Sequence, residues 1–93
     1  MVTTSLSKFS YPKSPGFQMT FENGMTISVM WHDMAYCSRK TLVTGPTSSP
    51  DAEVAAWDKY GQFYQLGEHD NVVGYRTTDE VADLIQLIKN LKP

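Results

Sequence analysis

The chain has 93 residues, 41% apolar and 12% aromatic, with a formal net charge of −2 and one cysteine. That length supports one hydrophobic core and not two. The small net charge gives no global pull toward nucleic acid or membrane. The lone Cys37 excludes an internal disulfide and fits a reducing compartment. No apolar run approaches the roughly 20 residues of a membrane span, and the Ser/Thr-rich N-terminus lacks the apolar core of a signal peptide. A cytoplasmic protein is expected, with no membrane role and no direct nucleic-acid signature.

Charge is unevenly divided. Residues 1–45 carry four basic side chains against two acidic ones, a net of +2, and residues 46–93 carry four against eight, a net of −4. The acidic half is the better match for a basic partner, although a solvated acidic face is the plainer account.

Residues 1–16 hold Pro12, Pro15, Gly16 and several Ser and Thr, with Phe9 and Tyr11 as the only aromatic anchors. Such a segment buries too little to offset its ordering entropy, so 1–16 is expected to be a flexible N-terminal segment ahead of a single α+β domain at 17–93. From Phe17 the pattern alternates. Phe17, Met19 and Phe21 share one face, and after Asn23-Gly24 so do Met25, Ile27, Val29 and Trp31. A period of two over both arms predicts an antiparallel hairpin, and Asn-Gly predicts a type I′ turn with positive φ at both residues. Residues 33–50 show neither period and end in Gly-Pro-Thr-Ser-Ser-Pro, a long connection of the kind that is functional or disordered.

Ala52, Val54 and Ala56 then alternate with Glu53, Ala55 and Trp57, and Asp58-Lys59-Tyr60-Gly61 reads as a turn with glycine where positive φ is wanted. Gln62–Leu66 is expected to return as a strand, and Asn71–Tyr75 to add a short fifth one. The last element is a helix. Thr77 and Glu80 have capping-box spacing, Asp79 and Glu80 suit its first turn, Lys89 and Lys92 its last. Val81, Leu84, Ile85, Ile88 and Leu91 make one apolar stripe, with Leu87 off it. The pieces predict an α+β fold: an antiparallel sheet of four to five strands, two hairpins plus a short strand, with one C-terminal helix packed on a face.

Few constellations carry chemistry. His32-Asp33 and Glu68-His69-Asp70, with Cys37, have metal-ligand character, but they sit in turns where polar residues belong and share no ligand spacing. Neither a metal nor a cofactor is expected. Cys37 with a histidine base and the nearby Arg39 and Lys40 would make an activated thiolate; a buried inert cysteine is the simpler account. The chain is therefore read as non-enzymatic. Arg39 and Lys40 in a hydroxyl-rich loop, with Tyr36 to stack on a base, are a possible nucleotide-type ligand site. Trp57, Tyr60, Phe63, Tyr64 and Tyr75 are more rings than one small core takes, and alternation turns Phe63 and Tyr64 to opposite faces. Rimmed by acids, such surplus aromatics resemble a protein-binding surface. Trp57, Tyr60, Tyr64 and Glu53 form its expected centre.

One resemblance spans roughly residues 17–88. Its marks are Asn23, Gly24, Thr26, Ser28, Val29 and Trp31, then Tyr36 and Cys37, then Ala52, Glu53, Ala55, Trp57 and Asp58. Gly61, Phe63 and Tyr64 follow, then Val72, Gly74, Tyr75, Asp79, Glu80 and Val81. In this pattern the chain resembles a group of small accessory proteins encoded by bacteriophages and prophages, departing from it at His32 and Met34, where the group has glycines. The resemblance implies a context and no mechanism. It leads to the expectation of a phage-type protein that binds and occludes a host protein, an inhibitor of a bacterial immune complex being the natural version. An oligomeric binder that sequesters a nucleotide-type small molecule is the alternative.

Overall fold

The structure, a computed structural model, describes residues 7–11, 15–32, 34–38 and 48–92. Five strands follow one another in space as they do in sequence: β1 (Lys8–Ser10), β2 (Gly16–Thr20), β3 (Thr26–Met30), β4 (Asp51–Trp57) and β5 (Val72–Thr77). Every neighbouring pair is antiparallel. Helix α1 (Thr78–Lys89) leaves β5 directly and packs back on β3, β4 and β5. The α+β architecture expected from the sequence is the one observed.

The helix covers the face that carries Ile27 and Val29 of β3, Ala52, Val54 and Ala56 of β4, and Val73 of β5. Val81 and Ile88 enter this core from α1, and Phe21 closes its end. Alanines on either side of Val54 leave room for the helix axis to approach the sheet, and Val54 and Ile88 are wholly buried. Five strands span about 19 Å at the usual strand spacing, whereas a helix with its side chains is about 10 Å wide. One helix therefore cannot cover the sheet. On β2, Phe17 and Met19 stay half-buried, and on β1, Phe9 is 79% exposed.

The first hairpin turns differently from the two-residue I′ form predicted. Thr20 pairs with Thr26, Phe21 N–H donates to the Met25 carbonyl (2.8 Å) and Gly24 N–H donates to that of Phe21 (2.9 Å). Only Gly24 has positive φ, +88°, so the turn is a three-residue loop closed by a glycine bulge. The reason lies in the Asn23 side chain. Its Nδ2 donates to the carbonyls of Ile88 and Leu91, both at 2.9 Å, while its Oδ1 accepts from Met25 N–H. Asn23 thus ties the hairpin tip to carbonyls that a helix end leaves without intrahelical partners.

Three other expectations are adjusted. Pairing begins at Lys8–Ser10 rather than Phe17, through backbone bonds to β2 and with Phe9 and Tyr11 left exposed; residues 1–6 and 12–14 of the expected flexible segment lie outside the described residues. Gln62–Leu66 makes a single bridge, Trp57 to Phe63, because β5 takes the rest of that edge of β4. The fifth strand is also bulged: Ala52 faces Arg76 and Val54 faces Val73, so Gly74 and Tyr75 together stand opposite Glu53.

The helix start is as predicted. Thr77 N–H donates to Glu80 Oε1 (2.9 Å) and Glu80 N–H donates to Thr77 Oγ1 (3.3 Å). These bonds from the Thr77 backbone and then its side chain, helped by Arg76, hold the Glu80 carboxyl below its ordinary pKa.

Two outcomes are expected. Asn23→Ala removes donors from the end of α1 and costs about 2 kcal/mol in urea unfolding. Asn23→Asp, as good as Asn in a turn, does no better because its charge meets helix carbonyls. The second outcome concerns Glu80. A carboxyl whose folded-state pKa is lowered stabilises the fold above the ordinary carboxylate value, and that stabilisation is lost as pH falls through the lowered one. Glu80→Gln keeps an acceptor for the Thr77 N–H but no titrating charge. Thermal melts of Glu80→Gln therefore lose less stability between neutral and acid pH than those of the parent.

Candidate functional site: the open sheet face

The face turned away from α1 is built by the opposite set of alternating residues. Register aligns them in rows. Lys8, Thr20, Thr26, Trp57 and Phe63 form one row, and Ser10, Gln18, Ser28, Ala55 and Val72 the next. Gly16, Met30 and Glu53 form a third, which ends at the bulge. Across β3 and β4 the floor is made of small side chains, Thr26, Ser28 and Ala55, and on β2 of Thr20 and Gln18; the two threonine hydroxyls are hydrogen-bonded at 2.8 Å.

Larger groups stand at both ends of this floor. At one end Trp57 and Phe63 meet edge to face, centroids 5.9 Å apart, a geometry favoured by the ring quadrupoles. Beside them the 58–61 loop repeats the first turn's design: Gly61 N–H donates to Asp58 O, Asp58 N–H donates to Gln62 O, and Gly61 has a φ of +82°. Asp58 Oδ1 accepts from the N–H groups of Tyr60 and Gln62, so a carboxylate rigidifies the loop that carries Tyr60. Lys59 Nζ lies 5.3 Å from the Tyr60 ring centroid.

At the other end the segment 34–38 is fastened across β4 and β5. Tyr36 N–H donates to Glu53 Oε2 (2.7 Å), the Tyr36 carbonyl accepts from Tyr75 N–H (2.8 Å), and Ser38 donates from both its N–H and its hydroxyl to Asp51. Ala35 and Cys37 are buried beneath. This close approach requires glycine at 74, since a Cβ there would lie 2.5 Å from Tyr36 Cβ and 2.8 Å from its carbonyl oxygen. Tyr75, next in the bulge, has a φ of +56°, a left-handed conformation that costs roughly 1–2 kcal/mol for a residue bearing a Cβ. The bulge resets the alternation, so that Val73 is buried on the helix side while Tyr75 turns outward. With Asp70, Asn71, Val72 and Gly74, the two tyrosines line a polar cleft of about 490 Å³.

The residues predicted from sequence divide between the faces. Trp57 and Glu53 lie on the open face, and Tyr60 beside it. Tyr64 does not join them: its N–H bonds the Ala56 carbonyl (2.9 Å) and its ring packs against the helix-side core, leaving Phe63 as the companion of Trp57. Tyr36 stands at the far end of the same face, whereas Arg39 and Lys40 lie outside the described residues. Glu53 and Asp51 serve as acceptors for the 34–38 segment. Cys37 is buried, its Sγ 3.9 Å from the His32 carbonyl oxygen. Among the described residues no three His, Cys, Asp or Glu side chains gather as metal ligands, and no helix is long and apolar enough to cross a membrane.

Tyr75 counts among the surplus aromatics of the sequence but not in the binding centre expected from it. Strand alternation places it with Val73, and only Gly74 hints that the backbone is special there. A second hollow, about 420 Å³, lies on the helix side between the Phe17–Trp31 pair and Val81 and Ile85. Its lining mixes core side chains with Ser48, Ser49, Pro50, Asp51, Arg76 and Thr78.

The strained tyrosine yields a prediction. Tyr75→Gly relieves the left-handed cost and raises stability by up to about 1 kcal/mol in urea unfolding. Tyr75→Ala keeps the strained φ and gives no such gain.

No family model, no curated protein and no solved structure matches this chain.

Proposed function

We propose that the chain is a non-enzymatic binding protein that occludes a protein partner with its open sheet face. The observation carrying this reading is the sheet face left bare by the helix: a floor of small side chains with solvent-facing aromatic rings at both ends. Phe63 is 52%, Tyr36 60% and Tyr60 79% exposed. Aromatic anchors around a floor that a partner can approach closely are the usual make-up of a protein-binding hot spot. The main chain that carries Tyr60 is braced by Asp58 and the Trp57 ring meets Phe63 before binding, which lowers the ordering cost of association.

The biological setting comes from the resemblance to phage-encoded accessory proteins. In that setting the partner is a host protein in the bacterial cytoplasm, and a subunit of an immune complex is the natural target. The partner-binding set becomes Trp57, Phe63, Tyr60 and Tyr36, with Glu53 in a supporting part and Tyr64 assigned to the core.

Native mass spectrometry after incubation with a bacterial lysate and re-isolation tests the reading. The parent chain is expected to return with a stoichiometric protein adduct. The double variant Trp57→Ala, Phe63→Ala is expected to return bare while keeping its circular-dichroism spectrum, and Leu87→Ala, an exposed apolar change on the outer side of α1, to retain the adduct. An adduct that survives in the folded double variant would sink the open-face assignment. A small-molecule adduct on an oligomer would point instead to ligand sequestration.

A further inference from the structure

We infer that the cleft between Tyr36 and Tyr75 receives an arginine side chain of the protein partner. The inference rests on the occlusion reading for the nature of the ligand and names the chemistry that this end of the face recognises. Three features carry it.

First, the cleft offers aromatic side chains and a carboxylate together. Tyr36 and Tyr75 line it, 60% and 56% exposed, beside Asp70 and Asn71. A planar guanidinium lies over a tyrosine ring while its N–H groups reach a carboxylate, a combination an ammonium cannot reproduce. Second, the carboxylate is available. Asp70 uses its carbonyl to receive Gly67 N–H (3.0 Å), but its side chain makes no hydrogen bond or ion pair among the described residues. Among the described residues no lysine or arginine lines the cleft. The Asp70 carboxylate attracts a cation and repels the phosphates of a nucleic acid. Third, the cleft is held open by the fold. The Tyr36 main chain is fixed by Glu53 and by Tyr75 N–H, and Gly74 supplies the close approach. At the strained position the chain carries a ring rather than the glycine that would fit without cost.

The probe is N-acetyl-arginine methylamide, titrated into the ¹⁵N-labelled full chain at low salt and followed by NMR, with the lysine analogue in parallel. Saturable shifts are expected at the amides of Tyr36, Asn71, Gly74 and Tyr75, with the lysine analogue clearly weaker. Asp70→Asn is expected to weaken binding roughly threefold, the worth of one exposed charge pair. Tyr75→Gly is expected to abolish it while the urea midpoint holds or rises, which separates loss of the ring from loss of the fold. Equal binding of lysine and arginine analogues, shifts confined to the acidic residues of α1, or full binding by Tyr75→Gly would each overturn the assignment. Partner capture through Trp57 and Phe63 without arginine binding would overturn the cleft and leave the occlusion reading standing. Saturable arginine binding without partner capture would do the reverse.

Discussion

Among the described residues one helix packs on a five-stranded sheet and covers one of its faces, and strand β4 decides which. Its alternation puts Ala52, Val54 and Ala56 on one side and Glu53, Ala55 and Trp57 on the other. The first set is small and apolar, so α1 packs close and Val54 and Ile88 are fully buried. The second set holds a carboxylate and a tryptophan that a helix could not cover without burying charge. Once α1 takes the alanine side, Glu53 is free to fasten the 34–38 segment and Trp57 is free to pair with Phe63.

Two polar devices then fix what packing alone leaves loose. Asn23 joins the tip of the first hairpin to the end of α1, so that residues far apart in sequence are held by main-chain acceptors. Glu53 and Asp51 do the same for the connection between β3 and β4, each accepting from the backbone of the crossing segment. Both devices use carbonyl or carboxylate oxygen to satisfy groups outside regular ladders, which is where an unpaired group would otherwise cost stability. The outcome is a face whose two ends have their main chain fixed by side-chain acceptors.

The bulge at Gly74 and Tyr75 reshapes the far end of the open face. It spends backbone strain to turn a ring outward beside Tyr36, and strained residues of this kind concentrate where binding or chemistry takes place. Trp57 and Phe63 stand at one end of the face and Tyr36 and Tyr75 at the other. Their surroundings differ: the first pair is apolar, whereas the second lines a polar cleft beside Asp70 and Asn71.

Sequence alone determined the elements whose signals are local. The β2–β3 hairpin, the alternation of β4, the capping box of Thr77 and Glu80, and the apolar stripe of α1 each depend on neighbours a few residues away, and each is observed. The opposed directions of Phe63 and Tyr64 were legible for the same reason, although which of them faced the helix was not. What the tertiary structure decided depends on distant partners. Asn23 reads as half of a two-residue turn until the end of α1 is placed beside it. Gln62–Leu66 reads as a strand until β5 takes its place on β4. Lys8–Ser10 looks too polar to order until the edge of β2 supplies the hydrogen bonds. Tyr75 follows the strand alternation until the Tyr36 carbonyl, brought across the sheet by Glu53, captures its N–H and the bulge turns it outward. Local patterns are written in periodicity, whereas a hydrogen bond between residues tens of positions apart exists only after the chain has folded.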